Sequence, residues 1–124
     1  MKALTIWQPY ASLIIEGAKP YEFRGWKPPA DLIGQRIVIH AAARPVDIQE
    51  TREILHRLQA GGEIAAETCL NAEKAIPVLS SILHETLRGG VVLGCALGTA
   101  VLGEPKTGRD ILEEFGVKGV DEPN

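Results

Sequence analysis

A chain of 124 residues suits one compact domain, and 45% hydrophobic with 23% charged residues is the balance of an ordinary globular protein. A net charge of −3 excludes the broad basic field that nonspecific DNA binding requires. Nor does any apolar run reach the length of a membrane span: the longest, Val91 to Leu102, is interrupted by Gly94 and Gly98.

The elements follow in chain order. "KALTIWQ" alternates, with Leu4 and Ile6 on one face and Ala3, Thr5 and Trp7 on the other, and predicts a strand. Pro9 suits a first helical position, Tyr10, Leu13 and Ile14 form a stripe, and Gly17 is a stop, so residues 9–16 predict a short helix. "YEFR" predicts a brief strand and "KPPADLIG" a stiff loop. "RIVIHAA" predicts a strand with Ile37 and Ile39 facing away from Val38 and His40.

Asp47 and Glu50 carry a D-x-x-E cap ahead of a helix that stops at Gly61–Gly62. A second helical stretch, 63–88, is expected to break at Pro77. Residues 46–88 thus form a helical excursion between two strands of one sheet. "VVLGCALGTAVLG" predicts a long strand whose one face, Gly94, Ala96, Gly98 and Ala100, is small enough for a helix or ligand to come close. "TGRDILEEFG" predicts a last helix with Ile111, Leu112 and Phe115 inward. No repeat or linker divides the chain, and strands without a regular βα rhythm predict a single α+β domain over residues 1–124.

Cys69 and Cys95 are isolated and apolar in context, with no histidine at ligand spacing. We expect free thiols in a reducing, cytoplasmic setting, no metal and no cofactor. No basic region followed by an apolar stretch opens the chain, so no signal peptide is expected. Up to Leu58 there are eight basic against six acidic residues, so the mild excess of positive charge sits in the first half. Five of the six aromatics, Trp7, Tyr10, Tyr21, Phe23 and Trp26, fall in the same region, around Lys19, Glu22 and Arg24. Such rings ordinarily build a core. Beside this charge, Trp7 and Tyr10 are also candidates to stack a base, with Lys19 and Arg24 meeting phosphate or carboxylate and Glu22 reading an exocyclic amine. The ordinary alternative for Glu22 and Arg24 is a surface ion pair, and for His40 a buried, hydrogen-bonded ring.

"GAKPYEFR" fills every fixed position of the GxKxxExR signature, and the chain resembles the ASCH domain family of the PUA-like superfamily. "ALTIWQPYASLI" before it and "GQRIVIHAAARP" after it resemble the family's flanking segments. The resemblance implies a PUA-like β-barrel with surrounding helices. It also implies RNA or a nucleotide-like ligand held in a cleft by Trp7, Gln8, Tyr10, Lys19, Glu22, Arg24 and His40. Some relatives are amidohydrolases acting on N-acetylated cytidine through a Lys, a Thr and a Glu, and others are described as ribonucleases. Here Glu22 occupies the position of that Thr, and a carboxylate does not replace a hydroxyl nucleophile. In a hydrolase reading, Lys19 moves protons and Glu22 activates water. A third reading is a protein-interaction domain without a small ligand. Relatives usually run longer and end in a further strand, so the chain reads as shortened at its C-terminus, and an unfilled sheet edge predicts a homodimer.

Overall fold

A computed structural model describes residues 2–19, 30–103 and 108–116. Alternation gives strands where it was expected. β1 (Ala3–Ile6) turns Ile6 inward, and β2 (Arg36–Ala41) buries Ile37, Ile39 and Ala41 on one face. β1 runs parallel to β2, Ala3 opposite Val38. β3 (Cys95–Val101) runs antiparallel to β2 on its other side, giving the order β1-β2-β3. The described sheet therefore has three strands, with β1 and β3 outermost, and it does not close into a barrel. Five helices accompany it among the described residues. The expected "YEFR" strand lies outside the described residues.

The small-faced strand holds one departure. Ile39 stands opposite Gly98 but His40 stands opposite Ala96, so the β3 register shifts between them. A bulge resets the alternation. Leu97 packs on the inner cluster, and beyond the shift Ala100 and Leu102 do so as well. Val101 is left 55% exposed. The expected face of Gly94, Ala96, Gly98 and Ala100 is thus divided between the two sides. Its close approach survives at one point: a Cβ on Gly98 would sit 3.2 Å from Ile15 Cδ1, so this glycine admits the helix. Residues 91–93 precede the strand instead of extending it.

Helix α1 (Tyr10–Ile15) is the middle layer. Ala11, Ile14 and Ile15 pack on the sheet with Ile6, Ile37 and Ile39. Leu13 and Ala18 point the other way, into a second core with Leu58, Leu70, Ala75 and Leu79. That core is built by α2 (Ile48–Ala60) and α4 (Ala72–Leu87), with the short α3 (Gly62–Ala66) between them. Asp47 caps α2 as its pattern predicts, Oδ1 accepting from Glu50 N at 3.0 Å. The helical break is not at Pro77. Asn71 opens α4 by accepting from Lys74 N at 3.2 Å, and the preceding turn is made by Cys69 at φ 57°. Pro77 lies in the second turn of α4, where only the exposed Glu73 carbonyl loses its partner, and the helix continues through it. The last helix, α5 (Gly108–Glu114), buries Ile111. None of the helices is long and apolar enough to cross a membrane among the described residues.

Candidate functional site

The ends of α1 decide where the singled-out residues go. Proline at the cap position has no side-chain acceptor for the helix's first N–H groups, and Gln8 takes over that task. Gln8 Oε1 accepts from Ser12 N at 3.0 Å, and Nε2 donates to Ser12 Oγ at 2.8 Å and Val92 O at 3.3 Å. Only 5% exposed, Gln8 ties α1 to the segment leading into β3.

At the other end, Gly17 adopts φ 75°. Gly17 N donates to Ile14 O at 3.1 Å and Ala18 N to Leu13 O at 2.9 Å, the paired bonds of a Schellman stop. Lys19 N donates to the same Leu13 carbonyl at 3.0 Å. Ala18 O then accepts from Asn71 N at 2.8 Å, which draws the turn before α4 against the end of α1. The first two fixed positions of the signature, Gly17 and Lys19, are therefore mechanically linked: the glycine ends the helix and the lysine emerges beside the α3–α4 turn.

A hollow of about 420 Å³ opens there. Tyr10 and Lys19 form one wall, with Lys19 Nζ 5.9 Å from the centre of the Tyr10 ring. The Tyr10 hydroxyl donates to Glu50 on α2. Glu50, Glu53, Ile54 and Arg57 follow the i, i+3, i+4, i+7 spacing and present one stripe of α2 to the hollow. Glu67, Thr68 and Leu70 close it from the α3–α4 turn. Arg57 Nη2 is 3.6 Å from Glu67 Oε2, an exposed pair that adds little stability. The Thr68 hydroxyl donates to Ala65 O at 2.7 Å and fixes the turn. Behind the wall, burial pushes the Cys69 thiol up from 9.0, against a smaller opposing pull from Lys19. The described lining carries three carboxylates against two cations, a formal −1.

Of the candidates drawn from the sequence, Tyr10 and Lys19 meet at this hollow. Trp7 lies outside its lining, 54% exposed, with the Arg44 guanidinium carbon 3.7 Å from its ring centre. His40 points to the sheet face opposite Ile39 and away from α1, and its buried Nδ1 has no hydrogen-bond partner among the described residues. Glu22 and Arg24 lie outside the described residues. The acidic stripe on α2 was missed by the sequence reading, although its helical spacing is visible in "ETREILHR" once the Asp47 cap fixes the helix start. No group of three or more His, Cys, Asp or Glu suited to a metal ion occurs among the described residues.

An open three-stranded sheet, a buried α1 and a charged hollow at its C-terminal end define a small mixed α/β domain. Its family follows from comparison with known proteins: the ASCH domain profile matches residues 4–115, nearly the whole chain, and the protein belongs to the ASCH domain family. Comparison with curated proteins and with solved structures yields no match.

Proposed function

We propose that this ASCH domain binds RNA or a nucleotide-like ligand, with the base and sugar held in the hollow between α1, α2 and the α3–α4 turn. The observation that carries this reading is the meeting of Tyr10 and Lys19 at one hollow of about 420 Å³, within the range that small-ligand sites occupy. The Tyr10 ring and Ile54 offer a base an apolar surface. Ionised carboxylates only accept hydrogen bonds, so Glu50, Glu53 and Glu67 favour the exocyclic amine of a base and the hydroxyls of a ribose. The same acidic excess disfavours a phosphate inside the hollow. The two free thiols fit work in the reducing cytoplasm.

The test is a thermal-shift screen of the four nucleosides, their monophosphates and short RNAs, repeated on Lys19→Ala and Glu53→Gln. A ligand of the folded form raises the melting temperature by mass action. A nucleoside-dependent rise that shrinks in both variants supports the reading. Unchanged melting with every ligand removes it.

A further inference from the structure

We propose that the Arg44–Trp7 pair is a second subsite beside the hollow, one that takes a phosphate of a single RNA strand on Arg44 and a neighbouring base on Trp7. It rests on the reading of the hollow as a base-and-sugar site and extends that reading from a nucleoside to a strand. The first observation is the pair itself. Trp7 keeps 54% of its surface exposed while the guanidinium of Arg44 lies 3.7 Å from its ring centre. A guanidinium against a ring keeps its N–H donors at the edge, available to an anion. Among the described residues no carboxylate comes within ion-pair distance of Arg44 and no group accepts a hydrogen bond from it. The nearest acids along the chain are engaged elsewhere: Asp47 caps α2 and Glu50 accepts the Tyr10 hydroxyl.

The second observation is what adjoins the pair. Gln8, next to Trp7, holds the carbonyl of Val92, and a Cβ on Gly94 would lie 3.7 Å from that of Ala43, next to Arg44. The 91–94 segment therefore runs past both members, and Val92 on it is 51% exposed. A flat ring, an exposed apolar residue and a cation with no acidic partner among the described residues are the components of single-strand recognition, in which bases stack on aromatics and phosphates meet arginine.

The third is position and polarity. Trp7·Arg44 and Tyr10·Glu50 both join the start of α1 to the run into α2, and Trp7 O accepts from Ala11 N at 3.1 Å within that same turn. The two surfaces are thus neighbours of opposite preference. The acidic hollow turns phosphate away, and Arg44 receives it.

The experiment measures a labelled, short, mixed-sequence single-stranded RNA by fluorescence anisotropy over a salt series, and free nucleosides by calorimetry, for the wild type, Arg44→Gln and Trp7→Leu. Circular-dichroism melts accompany each variant. The strand is expected to bind more tightly than any nucleoside. Arg44→Gln is expected to reduce the slope of log K against log salt by about 0.7, one phosphate's share on a single strand, while nucleoside affinity holds. Trp7→Leu is expected to weaken strand binding about tenfold. Should Trp7→Leu melt early, the Arg44→Gln salt slope decides alone. Where nucleosides bind, a strand that binds no better than they do, or an unchanged slope in Arg44→Gln, overturns the subsite and leaves the hollow standing; binding of neither overturns both. Strand binding through Arg44 and Trp7 by a protein that binds no nucleoside supports the subsite and removes the hollow. Binding of a polyglutamate peptide that needs Arg44, with no binding of RNA, overturns the subsite in favour of a protein partner.

Discussion

Replacing Gly17 by alanine tests how the first fixed residue of the signature sets the position of the second. Gly17 sits at φ 75°, in the region where an L side chain crowds its own carbonyl. Space is not the obstacle: a Cβ there would meet Lys74 Nζ at 3.5 Å and Cδ at 3.9 Å, ordinary contacts with a flexible chain end. The cost is therefore conformational, roughly 1 kcal/mol after allowing for the lower freedom of alanine in the unfolded chain. Unfolding entropy near roughly 2.1 cal/mol/K per residue gives about 0.26 kcal/mol/K for a chain of this length. Gly17→Ala should then melt about 4 °C below the wild type. Gly17→Asn should lose less, because asparagine tolerates this region. Differential scanning calorimetry of the three proteins reads the effect. A Gly17→Ala melting point equal to or above the wild type would refute the argument that this helix stop requires glycine.

Gln8→Ala removes three hydrogen bonds made by a residue only 5% exposed and leaves Ser12 N and Val92 O without their partner. It should cost about 2 kcal/mol in urea melts; a loss under a few tenths would show that water replaces the amide. Cys69 predicts an alkaline weakness. Burial raises its folded pKa above 9.0, so the unfolded chain ionises first and stability falls as pH climbs past that value. Urea melts of the wild type and Cys69→Ala across that range should show a steeper decline in the wild type, and parallel curves would contradict the shift. Cys69 is buried and Cys95 half-buried, so an aromatic disulfide reagent should label Cys95 first in the native protein; the reverse order would contradict the burial.

Much of the fold could be read from local pattern. The two-residue alternation of Leu4 and Ile6, and of Ile37 and Ile39, is a direct consequence of a sheet with one covered face. The Asp47 cap and the Gly17 stop rest on backbone rules that need no tertiary information. What escaped depends on neighbours. Pro77 looks like a break in isolation, but it falls in the second turn of a helix that Asn71 opens, and packing of Ala75, Leu79 and Ile82 carries the helix through it. The shift opposite Ile39 and His40 exchanges the faces of β3, and a sequence offers no sign of it because no charged residue on either side of the strand marks the face that meets water. Of the residues that line the hollow, only two were singled out in the sequence. Tyr10 and Lys19 stood out by signature and by composition. Glu50, Glu53 and Arg57 looked like any solvated helix face until the turn at Cys69 folded Glu67 and Thr68 over them.

In the proposed complex the ligand's base and sugar sit between α1, α2 and the α3–α4 turn. Amide chemical-shift mapping during titration with a nucleoside tests it most directly. Saturable shifts are expected at Lys19, Glu53, Ile54, Thr68 and Leu70, and none in the same titration of Lys19→Ala. Shifts confined to the outer face of α4 or to α5, or the same Lys19-region shifts persisting undiminished in that variant, would contradict it.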